Sequence, residues 1–80
     1  VKPALAYLDI VREAKEQFSL PLAVYNVSGE YAMLKMAVDQ GLVREEAIFE
    51  SILAMKRAGA DLIITSFALY LARTIDEGVQ

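Results

Sequence analysis

The sequence predicts an α/β fold of parallel strand-helix units, and three observations predict it. Residues 22–27, Leu-Ala-Val-Tyr-Asn-Val, form a short apolar run without alternation, as a strand of a parallel sheet covered on both faces does. Residues 61–65, Asp-Leu-Ile-Ile-Thr, read as a second such strand. Around both, apolar residues recur at helical spacing, and strands alternating with helices build parallel units.

The elements follow in order. Val1-Lys2-Pro3 carries no initiator Met, no basic-then-apolar leader and no helix N-cap, so it reads as the end of a strand already under way. The chain is accordingly expected to be a piece of a longer protein. Leu8, Val11, Ala14 and Phe18 share one face of an amphipathic helix over about residues 7–18, with Asp9, Arg12, Glu13, Lys15 and Glu16 largely turned away. Pro21 ends it, because the residue before a proline avoids helix.

After the first strand, Ser28 reads as the N-cap of a helix reaching about Gln40, with Glu30 in its first turn. Gly41 suits that helix's left-handed end. Glu45 and Glu46 open a third helix, Ile48, Ile52 and Met55 line its face, Phe49 and Leu53 add a second row, and Lys56, Arg57 and Gly59 close it. Residues 68–76 make the last helix. The alternation fits an open doubly wound sheet and a (β/α)8 barrel equally, and two strands close neither.

Composition narrows the function classes. Of 80 residues, 56% are hydrophobic and 24% charged, although a domain near this size buries only roughly 60% of its unfolded surface. So apolar a short chain expects cover from something else. No apolar run approaches the ~18 residues of a membrane span. A net charge of −3 without a Lys/Arg cluster argues against nucleic acid and anionic membranes. With neither Cys nor His, disulfides, thiolate sites and imidazole ligands are all missing. The cytoplasm is the expected compartment.

Working residues of parallel α/β folds gather at the C-terminal ends of strands. Three places qualify: Lys2, the segment 25–28, and Thr65-Ser66. Lys2 is the one strong nucleophile candidate. A lysine titrates near about 10.4 when unperturbed, and burial or a neighbouring cation makes the neutral, attacking amine accessible. A solvated strand-end lysine is the plain alternative. Tyr25 suits a proton donor and Ser28 a carboxylate-binding hydroxyl beside helix amides; packing and simple capping are their structural alternatives. Met33, Met36 and Tyr31 read as packing residues, and the acidic residues as solvated faces and cap partners.

Three blocks then carry a resemblance. Val1-Lys2-Pro3-Ala4 with Tyr7-Leu8-Asp9-Ile10, the stretch Tyr25-Asn26-Val27-Ser28-Gly29-Glu30-Tyr31-Ala32-Met33, and Lys56-Arg57-Ala58-Gly59-Ala60-Asp61 with Ile63-Ile64-Thr65 resemble the porphobilinogen synthase (delta-aminolevulinic acid dehydratase) family in the right order. The resemblance implies a single incomplete domain over residues 1–80, the C-terminal part of a TIM barrel with about strands six to eight. It implies a lyase of heme biosynthesis that condenses two 5-aminolevulinate molecules to porphobilinogen. Lys2 would form the Schiff base, Tyr25 lie near the imine, and Ser28 bind the substrate carboxylate.

Two positions depart from the family pattern. Asn26 stands for the usual Gln. Ser66 stands for a Tyr that also contacts the carboxylate, which puts that contact in doubt. The family implies zinc or magnesium, a second lysine and an active-site lid on earlier strands, and a homo-oligomer. No cofactor is expected within this stretch, whose partners would be 5-aminolevulinate, the rest of the parent chain and further subunits. Alone it is expected to be inactive. A Lys-dependent TIM-barrel aldolase and a small non-enzymatic α/β interaction module are the alternatives.

Overall fold

The structure, a computed structural model, describes residues 1–76. A turn of 3-10 helix, Leu5–Tyr7, leads into α1 (Leu8–Gln17), β1 (Ala23–Asn26), α2 (Ser28–Asp39), α3 (Glu46–Ala58), β2 (Leu62–Thr65) and α4 (Ala68–Asp76). The element order matches the sequence reading, and each end falls within about two residues of it.

β1 and β2 pair in parallel, with Ala23 opposite Leu62, Val24 opposite Ile63, Tyr25 opposite Ile64 and Asn26 opposite Thr65. Val1 continues the sheet on the other side of β1. Its nitrogen donates to the Ala23 carbonyl at 2.8 Å and its carbonyl accepts from the Tyr25 amide at 2.9 Å. Bonds to the residues on either side of Val24 are the pattern of a parallel neighbour. Among the described residues only Val1 pairs in this way, and no strand is formed ahead of β1.

All the helical cover lies on one side. Ala4, Val11, Val24, Met55 and Ala60 form the buried cluster, and Val1, Leu8, Leu22, Ile52 and Ile63 pack against it. It sits between one face of the sheet and the facing sides of α1 and α3, which touch each other. On the other face Ala23, Tyr25, Leu62 and Ile64 are exposed. The molecule measures 38 × 25 × 16 Å. Sixteen ångströms leave room for no second layer of helices beyond the one that covers the sheet. The apolar runs lack alternation in sequence, yet their burial alternates, because only one of the two faces is covered. A parallel sheet with helices on one face and the other face bare is consistent with a piece of a (β/α)8 barrel.

Three local readings are corrected. Phe18 does not join the α1 face: the helix stops at Gln17, the Phe18 backbone is extended, and the ring is 64% exposed. Met33 and Met36 are exposed rather than packed, since α2 touches the rest through its other side, where the Tyr31 and Phe67 rings lie 4.5 Å apart. Ser28 is the first residue of α2, not its cap, and makes no capping hydrogen bond. Gly41 does adopt the left-handed conformation expected of it, with φ of 73°.

Candidate active site

Parallel pairing brings the C-terminal ends of the strands to one edge, and this is where the expected residues gather. Val1 packs against the core and pairs with β1 at the level of Val24, and Lys2 follows it directly, close to the level of Tyr25 and, one strand on, Ile64. Lys2 and Tyr25 are both exposed. Ser28 opens α2 two residues beyond the end of β1, with its side chain exposed. Its hydroxyl is not spent on a cap, and the first amides of α2 lie beside it, as an anion site requires. Ser66 follows the end of β2 and is exposed; it borders a cleft of about 370 Å³ with Tyr31, Lys35, Phe67 and Tyr70. Lys2, Tyr25 and Ser28 thus share one end of the sheet, whereas Ser66 faces the space between helices.

Beneath them runs a polar network that the sequence reading misses. Glu30 is 5% exposed and Asn26 wholly buried. Glu30 Oε2 accepts from the backbone N–H of Ala4 at 3.0 Å and of Leu5 at 2.8 Å, and Oε1 accepts from Asn26 Nδ2 at 2.9 Å. Thr65 Oγ1 donates to Asn26 Oδ1 at 2.8 Å and accepts the Phe67 N–H at 3.2 Å. A buried carboxylate is tolerable when hydrogen bonds satisfy it, and here three donors do.

The sequence presents Glu30 as a solvated acid of the first helical turn; in the structure it is buried. Counting Val27 as the cap, Glu30 is the third helical residue, the position from which a Glu ordinarily reaches back to its own helix. Here Val27 is extended and offers the α2 start to the neighbouring segment, so Glu30 reaches across to residues 4 and 5 instead. The available signal is its lone charge within the otherwise apolar or small stretch of residues 27–34.

Among the described residues no three His, Cys, Asp or Glu side chains gather where an ion could be held. The chemistry below is that of the lysine and its neighbours. Among the described residues no helix is long and apolar enough to cross a membrane.

Fold and site together describe a parallel α/β piece of the kind a (β/α)8 barrel is built from, with an exposed lysine just after Val1 and, toward the end of β1, a tyrosine and the open N-terminus of a helix. Comparison makes this specific: the chain belongs to the delta-aminolevulinic acid dehydratase family, whose model matches residues 1–74. It is 66% identical over 68 residues to the delta-aminolevulinic acid dehydratase of Methanothermobacter thermautotrophicus, covering 85% of this chain and 21% of that protein. It is 58% identical to the Archaeoglobus fulgidus enzyme over 80 residues, which is 100% of this chain and 24% of that one. Among solved structures it resembles the delta-aminolevulinic acid dehydratase (porphobilinogen synthase) of Toxoplasma gondii in complex with the reaction product porphobilinogen. There the TM-score is 0.83 at 45% identity, over 85% of this chain and 20% of that one. The chain thus spans between a fifth and a quarter of the length of these relatives.

Proposed function

We propose that the protein to which this chain belongs condenses two 5-aminolevulinate molecules to porphobilinogen with loss of water, and that Lys2 is its imine-forming lysine. The observation that carries the reading is that Lys2 is exposed and directly follows Val1, whose backbone pairs with Ala23 and Tyr25 of β1. Its family supports the substrate.

The neutral Lys2 amine attacks the ketone carbon of 5-aminolevulinate, forming a C–N bond while the carbonyl oxygen takes up a proton. The hydroxyl of this carbinolamine leaves as water once protonated, and the nitrogen lone pair closes the C=N bond. Tyr25 supplies that proton from the adjacent strand. Ser28 binds the substrate carboxylate through its uncommitted hydroxyl and the α2 amides, which fixes the ketone against the amine. The rest of the barrel covers the inner face, excludes water and brings the remaining machinery; further copies of the chain complete the assembly. These residues alone do not turn over substrate.

Borohydride reduction of the full-length protein with 5-aminolevulinate is expected to leave a mass adduct on the peptide containing Lys2, and Lys2→Ala to abolish turnover rather than raise KM. Substantial turnover in that variant would sink the assignment.

A further inference from the structure

The hydrogen bonds beneath the site all point one way. Phe67 N–H donates to Thr65, Thr65 to Asn26, Asn26 to Glu30, and the Ala4 and Leu5 amides donate to Glu30 from the other side. Every donor runs toward one carboxylate, which is the only member that accepts without donating. Residues 4 and 5 directly follow the Lys2-Pro3 step, Asn26 ends β1 and Thr65 ends β2. Three chain segments, joined by hydrogen bonds that span 25 to 39 residues of sequence, are therefore tied through a single buried group.

We infer that Glu30 is a positioning residue: it clamps the backbone just after Lys2 to the ends of β1 and β2 and so sets where the Lys2 amine stands. The inference rests on Lys2 being the imine-forming lysine. Val1 holds to β1 by two bonds only, and beyond it the segment leaves the sheet, so Ala4 and Leu5 have no strand partner. Without the carboxylate, the two amides lose their acceptor and the lysine loses the fixed point two residues behind it. Glu30 is buried, with its carboxylate spent on backbone amides and Asn26, and so acts through the chain.

The network's polarity supplies the test. Glu30→Gln keeps the shape but turns one acceptor into a donor. If the oxygen of the new side chain stays on Ala4 and Leu5, its amide meets the Asn26 amide, donor against donor. Adding Asn26→Asp restores an acceptor there and still accepts from Thr65, with the same total charge as wild type. In the full-length enzyme, Glu30→Gln is expected to lower kcat and the rate of borohydride trapping at Lys2 by on the order of tenfold to a hundredfold. KM and the thermal midpoint should change little. The double variant should recover most of kcat. Three results overturn the inference: kcat kept in Glu30→Gln, no recovery in the double variant, or a loss of kcat that merely tracks loss of folded protein in both. The wild-type adduct separates the two layers. An adduct on another lysine with none on Lys2 overturns the reading of Lys2 itself, whereas an adduct on Lys2 with an indifferent Glu30 overturns only this inference.

Discussion

Asp61 uses one oxygen twice: its Oδ2 takes the Lys15 ammonium at 2.8 Å and the Leu22 amide at 2.8 Å. The Leu22 carbonyl in turn accepts from the Asp61 amide at 2.8 Å. This residue pins the entry of β1, the entry of β2 and the last turn of α1 to one point, at the N-terminal edge of the sheet. It is the counterpart of Glu30 at the other edge, but exposed.

A pH dependence follows. The Lys15 hydrogen bond, then the Leu22 amide, hold the Asp61 carboxyl below its ordinary value of 3.8. A lowered folded value means that the unfolded chain takes up the proton first as pH falls. The stabilisation is therefore complete above about 3.8 and fades as pH drops through the lower, folded value. Asp61→Asn should lower the thermal midpoint of the full-length protein at neutral pH, and the difference from wild type should shrink in acid below that value. A difference that persists undiminished there would show that the charge is not its source. High salt should also shrink it, since both partners face solvent.

Gly59 tests the same corner sterically. Its φ of 126° lies in the region that side chains avoid, and a Cβ there would stand 2.7 Å from Lys15 Cγ and 2.8 Å from Lys15 Cβ. Lys15 Cβ is fixed by the α1 backbone and cannot swing away. Gly41 is the matched control, with φ of 73° and open space around it. Gly59→Ala should cost at least roughly 1–3 kcal/mol from backbone strain, with the collision added, and Gly41→Ala should cost less. Denaturant midpoints of the two variants decide it; equal costs would contradict the close approach.

Much of this is legible in the sequence because it depends on neighbours along the chain. The last helix, the left-handed Gly41 and both strands follow from local pattern, and Lys2, Tyr25 and Ser28 follow from strand ends plus the family's blocks. What stays hidden depends on which groups meet across the fold. Glu30 looks like any acid of a first helical turn until Ala4 and Leu5, some 25 residues away, arrive beside it. Met33 and Met36 look like core because apolarity does not say which face of α2 is covered. Phe18 looks helical because its spacing is right, and only the extended backbone at the end of α1 removes it.

Ser66 is open to a gain-of-contact test. The resemblance implies a tyrosine here that reaches the substrate carboxylate, and a serine in its place would fall short by the length of the ring. Ser66→Tyr in the full-length enzyme should tighten binding of 5-aminolevulinate. A hydrogen bond to a charged group is worth roughly 1.5–3 kcal/mol, about tenfold or more in affinity. Calorimetric titration reads it. An unchanged affinity would mean that the new ring settles in the cleft beside Phe67, or that a water already fills the role.

The bare inner face makes the last prediction. Tyr25 and Ile64 stand opposite each other on β1 and β2, with Leu62 beside them, and Leu62 and Ile64 are 59% and 52% exposed. In relatives of which this chain spans only 21% and 24%, the remaining strands are the natural cover for such a face. Leaving one Leu, Ile or Val uncovered forgoes roughly 1.5–3 kcal/mol, against a total stability of only about 5–15 kcal/mol for a folded domain. The outer edge of β2 has no partner strand among the described residues, and an open edge recruits other chains. A polypeptide of these 80 residues, made alone, is therefore expected to self-associate through its inner face and strand edge rather than persist as a compact monomer. Light scattering across a dilution series should show species larger than one chain, which dissociate only with loss of helical signal. A monodisperse monomer with a cooperative thermal transition would refute this, because the uncovered face would then cost far less than its residues imply.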